Sequence, residues 1–209
     1  MKISIFFQIL LSYKKVLIQL LFFEFFYLLR GYKQNSIEIF NNDRFTDNIP
    51  CPYFFLQKII KFILKSNIKS LLDLGCGGGR ALYFFNEKLK INYYGIEYQT
   101  TIYENCKKLF QKDDNIKIFN EDFMSFEFLK LNNDCYFIND PLKKKDDLEK
   151  LIIKILDLIK KNGKIIYFIL INLDDSKRKI FNEYKLIEFY QINSKGYYIY
   201  SSEKNQKNN

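Results

Sequence analysis

Four of the chain's eight glycines fall in one five-residue window, Gly75-Cys76-Gly77-Gly78-Gly79. The apolar run Ser70 to Leu74 precedes it and a helical pattern follows, so the window predicts a strand, a tight glycine turn and a helix start. Glycine permits φ > 0 and lets a ligand reach main-chain N–H groups with no Cβ in the way, and the helix N-terminus behind it adds partial positive charge. A plain βα turn needs one glycine. Four together point to a cradle for a nucleotide-type cofactor.

Composition sharpens that reading. The chain has a single alanine, Ala81, a single valine, Val16, and no histidine or tryptophan. Isoleucine, lysine, asparagine, phenylalanine and tyrosine fill the rest, the pattern of codons biased toward A and T. Glycine codons are GC-rich, so a glycine cluster that persists against the bias is one the backbone needs. The same bias makes the net charge of +9 a mild hint toward nucleic acid or anionic lipid, with a solvated lysine face the plainer reading. Absence of histidine excludes Ser-His-Asp and Cys-His catalysis and any His-ligated metal. Cys51, Cys76, Cys106 and Cys135 are widely spaced with no CxxC, which predicts no metal knuckle or redox pair, four small core residues, and a reducing, cytoplasmic setting.

At the N-terminus, Ile3 to Leu29 is mostly apolar, but Lys14, Lys15, Gln19 and Glu24 divide it into runs shorter than the ~20 residues that span a bilayer. No small-residue cleavage site follows the first run, so a signal peptide is not expected. Two readings stand: a helical extension packed on the domain, and an in-plane helix giving peripheral membrane contact through residues 3–29. From Pro50 the chain alternates in type. A helix is expected from Tyr53 to about Lys65, a strand Lys69 to Leu74, a helix Gly79 to about Lys90, a strand Tyr93 to Glu97 and a helix Thr101 to about Gln111. Strands Ile116 to Phe119 and Cys135 to Asn139, a helix Asp146 to Lys161, a strand Lys164 to Ile171, a short helix near Ser176 to Tyr184 and a hairpin turning at Asn193 to Gly196 follow. This is an α/β fold: a Rossmann-like, doubly wound, mostly parallel seven-stranded sheet with a C-terminal β-hairpin and an N-terminal helical extension. The expected organisation is an N-terminal hydrophobic helix and connector over 1–49, the α/β domain over 50–202 and a disordered tail over 203–209. Ligands of such sheets bind at the carboxyl ends of the strands.

Spacing separates the cofactor classes. A dinucleotide fingerprint would need glycine at position 80, where Arg80 stands, and no Gly-Lys-Ser/Thr follows as a triphosphatase loop would require. Asp73-Leu74-Gly75-Cys76-Gly77-Gly78-Gly79 instead resembles the acidic-x-Gly-x-Gly-x-Gly signature of class I methyltransferases that use S-adenosylmethionine. The resemblance continues in register over about residues 50–202. It implies a cofactor site made by Asp73, Gly75, Cys76, Gly77, Glu97, Tyr98, Asp122, Phe123 and Asn139. Within that set it implies Glu97 as acceptor for the two ribose hydroxyls, Tyr98 on the adenine face and Asp122 as acceptor from the adenine amino group. No metal is implied.

The stretch Asn42-Asp43-Arg44-Phe45 through Pro52-Tyr53, and the closing Gly196-Tyr197-Tyr198-Ile199-Tyr200, resemble small bacterial methyltransferases whose fourth strand ends in aromatic-Asn-Pro-Phe. Here Asn139-Asp140-Pro141-Leu142 stands instead, and it departs from the Asp/Asn-Pro-Pro-Tyr motif of nitrogen methylating enzymes as well. The resemblance places Asn139 and Asp140 as catalytic residues, Asp140 accepting an N–H of the acceptor, with Arg44, Tyr53 and Pro141 on the substrate side; a cap or turn role before the Asp146 helix is the other reading of Asp140. The expected chemistry is in-line displacement onto a nitrogen or oxygen of an unidentified protein, RNA or small-molecule acceptor. The alternatives are a cofactor-binding but catalytically silent partner subunit and an aminopropyl transferase on the same fold.

Overall fold

The protein is described by a computed structural model over residues 17–31, 43–128, 131–192 and 195–205. Residues 3–16 of the apolar N-terminal run, Asn42, the turn pair Asn193-Ser194 and residues 206–209 of the expected tail lie outside the described residues. The elements run α1 Leu17–Leu29, α2 Tyr53–Lys65, β1 Ser70–Leu74, α3 Arg80–Asn86, β2 Asn92–Ile96, α4 Thr100–Leu109, β3 Ile116–Phe119 and β4 Cys135–Asn139. They continue with α5 Lys145–Asn162, β5 Tyr167–Ile171, α6 Asp175–Arg178 with a 3₁₀ turn behind it, β6 Tyr184–Ile192 and β7 Lys195–Lys204.

One seven-stranded sheet has the order β3-β2-β1-β4-β5-β7-β6. The first five strands pair in parallel, and β7 joins β5 and β6 antiparallel. The reversal of order between β1 and β4 opens a crevice at their carboxyl ends. Strand β1 is buried on both faces along its whole length, as a central parallel strand must be, and its side chains alternate between two cores. Leu71 packs with α2 and α3, while Leu72 and Leu74 pack with α5.

Several elements stop where side-chain chemistry, rather than apolar spacing, decides. α3 ends at Asn86, short of the expected Lys90, because Asn86 is buried and turned to Asp113 (2.9 Å) and Asn115 (2.8 Å) across the sheet end. β5 begins at Tyr167 rather than Lys164, since Lys164 reaches away to Asp134 and Asn132. β7 runs to Lys204, two residues into the expected tail, held by its pairing with Tyr184 and an ion pair to Glu183.

α1 lies against α2 through a buried polar anchor. Glu24 accepts the Tyr53 N–H at the start of α2 (2.9 Å) and forms an ion pair with Arg80 at the start of α3, both side chains 3% exposed. The Arg80 guanidinium stacks over the Tyr53 ring, 3.8 Å from its centroid, while its Nε and Nη1 meet no hydrogen-bond partner among the described residues. Phe23 and Tyr27 complete the contact against Phe54, Tyr53 and Phe84. The opposite face of α1 presents Ile18, Phe22, Phe25 and Leu29 outward. No helix among the described residues is long and apolar enough to cross a membrane.

Breaking a buried ion pair from one side strands the other charge. Glu24→Ala should therefore lower the unfolding free energy by roughly 3–5 kcal/mol in urea titration. Glu24→Leu combined with Arg80→Met should recover most of that loss, because it removes both charges. A Glu24→Ala variant as stable as the parent would refute this role for α1.

Candidate functional site

The glycine turn is tied to β2 by its backbone. The Gly75 and Cys76 N–H groups both donate to the Ile96 carbonyl, at 3.0 Å each, and Gly75, Gly77 and Gly79 all have positive φ. Each glycine's α-hydrogen side meets a different neighbour. A Cβ on Gly75 would stand 3.2 Å from that of Pro141 at the end of β4, and one on Gly79 would press into Phe110 and Cys106. At Gly77 it would run into the Asn48 side chain.

Glu97, just past β2, is the charged hub. It is buried, and its two carboxylate oxygens accept the Gly77 N–H and the Gln99 N–H, both at 2.9 Å. A carboxylate offers about four acceptor positions, and two backbone amides orient this one. Asn120 braces the same turn by donating to the carbonyls of Glu97 (2.9 Å) and Tyr98 (3.1 Å).

Asp73, in the middle of β1, is 3% exposed. Burial, and second the charge of Glu97, push its carboxyl up from the usual 3.8 to about 8. Cys76 is also buried, its thiol pushed well up by a hydrogen bond with Cys106 and by desolvation, so it packs behind the turn as an inert thiol. All four cysteines are free and buried.

A cleft of about 560 Å³, part of it open solvent, lies over these strand ends. Gly75, Glu97, Tyr98, Gln99 and Phe123 form one wall and Asn139 and Pro141 the other. Residues 45–49 form its roof. This strap is stitched to the end of β4: Phe45 bridges Leu142, Thr46 N–H donates to the Pro141 carbonyl (3.2 Å), Lys143 N–H donates to the Arg44 carbonyl (2.9 Å), and the Thr46 hydroxyl donates to the Asp140 carbonyl. Asn139 donates its side-chain amide to the Ile49 carbonyl at 2.8 Å.

Of the residues anticipated from sequence, Gly75, Glu97, Tyr98, Phe123, Asn139 and Pro141 line the cleft together. Arg44 and Asp122 meet beside it as an ion pair of 2.8 Å, and Asp122 also accepts the Met124 N–H. Cys76 and Gly77 lie within the turn, Gly77 against Asn48 of the cleft roof, and Asp73 precedes it in β1. Tyr53 is not at the cleft: it is 2% exposed, between Tyr27, Phe84 and the Arg80 guanidinium. Asp140 has left-handed backbone (φ 41°), and its side chain is held by the buried Lys177 Nζ at 2.5 Å, which also donates to the Leu142 carbonyl at 2.6 Å. Sequence reasoning missed Phe45, Asp47, Asn48 and Lys177. Lys177 belongs to no local motif, and for the first three only their place in the stretch from Asn42 to Tyr53, which resembles small bacterial methyltransferases, was a hint. Among the described residues no cluster of acids and cysteines could hold a metal ion.

Residues 71–163 match the family model of a methyltransferase domain. Among solved structures, the chain is similar to a putative methyltransferase, yhhF, from Escherichia coli, at 15% identity over 82% of this chain and 93% of that one, with a TM-score of 0.57. It is similar to an RNA methyltransferase from Salinibacter ruber, solved with S-adenosyl-L-homocysteine, at 11% identity over 77% and 98%, with a TM-score of 0.58. It is also similar to the magnesium protoporphyrin IX methyltransferase ChlM from Synechocystis PCC 6803, solved with bound SAM, at 12% identity over 70% and 76%, with a TM-score of 0.52. No curated protein matches the chain. At these identities the structural likenesses show the fold.

The raised Asp73 value carries a prediction. A folded pKa above the unfolded one means the native state holds this proton more tightly, so stability is full below about pH 4 and falls as pH rises toward 8. Asp73→Asn removes the titration. Relative to the parent it should gain stability on the order of a few kcal/mol between pH 5 and pH 8 in thermal or urea unfolding. Parallel pH profiles for the two proteins would contradict the buried, protonated assignment.

Proposed function

We propose, from the match of residues 71–163 to the model of a methyltransferase domain, that the chain is an S-adenosylmethionine-dependent methyltransferase of class I that methylates a nitrogen or oxygen acceptor presented at the end of β4. The observation that carries this reading is the cleft itself, with a rigid carboxylate, Glu97, on one wall and the Asn139 to Pro141 strand end on the other.

The residues fit the cofactor. Gly75 brings backbone close where a Cβ would already crowd Pro141, Glu97 offers an oriented acceptor for a diol, and Tyr98 and Phe123 offer flat apolar faces for a base. When bound, S-adenosylmethionine supplies an electrophilic methyl group on a sulfonium, so the protein's task is positioning, a contribution of about 7–11 kcal/mol where geometry is near attack. The ion pair to Lys177 turns Asp140 into a brace for the end of β4. Acceptor orientation then falls to the Asn139 amide, which lines the cleft at the end of β4. The second reading, a cofactor-binding partner that transfers nothing, draws on that commitment of Asp140 to Lys177.

Incubating the protein with methyl-labelled cofactor and fractionated cell extract tests the proposal. Label should appear in one of the protein, RNA or small-molecule fractions. Absence of label in all of them, from a protein that binds S-adenosylhomocysteine, would favour the silent partner. Glu97→Ala should weaken S-adenosylhomocysteine binding roughly 10- to 100-fold in calorimetric titration, through loss of charged acceptor bonds. Unchanged affinity, or a preference for a nicotinamide dinucleotide, would overturn the assignment of this cleft.

A further inference from the structure

The slot between Tyr98 and Phe123, beside the Asp122 carboxylate, has the chemistry to take a flat heteroaromatic ring carrying an exocyclic amine. In this structure the chain's own residues supply both parts. The Phe45 ring lies 4.9 Å from Tyr98 at 30° and 5.5 Å from Phe123 edge to face. A further ring inserted between Phe45 and Tyr98 would force their centroids to about 7 Å, two van der Waals layers. Next to it the planar Arg44 guanidinium gives an N–H to Asp122 at 2.8 Å, the bond an amine would make. Three residues on, Asn48 rests against Gly77, on the approach to the glycine turn.

We propose that residues 43–49 are an internal occupant of the base-binding slot, with Arg44 and Phe45 standing in for the ring and its amine, so that cofactor entry requires this strap to leave. The inference rests on the cofactor reading above and adds to it a competing, chain-encoded ligand. The strap is joined to the end of β4 by a bridge at Phe45 and by individual hydrogen bonds instead of a continuous strand ladder. Its ion pair is partly solvated, at 39% and 23% exposure, the class that contributes least to stability. Segments held outside a strand ladder can open locally without global unfolding. Its downstream end is fixed, because Cys51 and Pro52 are buried at the start of α2, so release is a swing about residues 49–51. Apparent affinity for the cofactor is then the intrinsic affinity scaled by the open fraction. The strap roofs the cleft and is hydrogen-bonded to the end of β4, so the same swing couples cofactor entry to the acceptor side.

Calorimetric titration of S-adenosylhomocysteine into the full chain, Phe45→Ala and Arg44→Gln tests this, with hydrogen exchange of the Thr46 and Lys143 amides read alongside. Each variant should bind about 2- to 10-fold more tightly than the parent, the range a lost aromatic or ion-pair competitor supports. Saturating ligand should speed exchange at Thr46 and Lys143. Equal or weaker binding by the variants, or slower exchange on saturation, would overturn the proposal and leave the strap as a closing roof. If Phe45→Ala does not fold, the part-exposed Arg44→Gln carries the comparison. No binding by the parent or by either variant would overturn the cofactor reading itself and this inference with it.

Discussion

A carboxylate buried at the end of a sheet persists only if donors surround it, and Glu97 meets that condition by taking one backbone N–H from each of the two turns it separates. Gly77 belongs to the turn after β1 and Gln99 to the turn after β2. Their bonds tie the two turns together and hold the carboxylate at the wall of the cleft. Burial, with the Glu97 charge second, raises Asp73 in the strand beside it, so the carboxylate that shapes the cradle also adds to the protonation of Asp73. The glycines serve this bond: a positive φ at Gly77 turns its N–H toward Glu97, a conformation costly for residues with a Cβ.

A second buried charge holds the helical layer in place. Glu24 on α1 ties the first residue of α2 to the first residue of α3, which follows directly on the glycine turn. The N-terminal helix is therefore coupled to the cradle through Arg80 by one short path. On the other flank, Lys177 performs the corresponding service for the end of β4, fixing Asp140 and Leu142 from an element far along the chain.

What could be read from sequence divides along a physical line. The parallel sheet, the glycine turn and the positions of Glu97 and Asp122 are encoded locally, in apolar runs that end at glycine or an acid, and these the structure reproduces with the hairpin beyond them. Phe45, Asn48 and Lys177 reach the site across long sequence separations, and an aromatic, an amide and a lysine in loops carry no signal of where they land. Tyr53 shows the converse. Its helical spacing suits a core position as well as a cleft position, and only the buried Arg80 face, invisible in the sequence, decides for the core. Asp140 read as an acid before a proline, while its partner lies three elements further on, in α6.

The central claim is the proposal that Glu97, which ties the two turns of the cradle together, also reads a vicinal diol. A thermodynamic cycle tests it most directly: S-adenosylhomocysteine and its 2′-deoxy analogue, each titrated into the parent and into Glu97→Ala. The account predicts that removing the hydroxyl weakens binding to the parent and costs little more in the variant, because the two losses share one bond. Losses that add in full would show that the hydroxyl is bound elsewhere and would contradict the account.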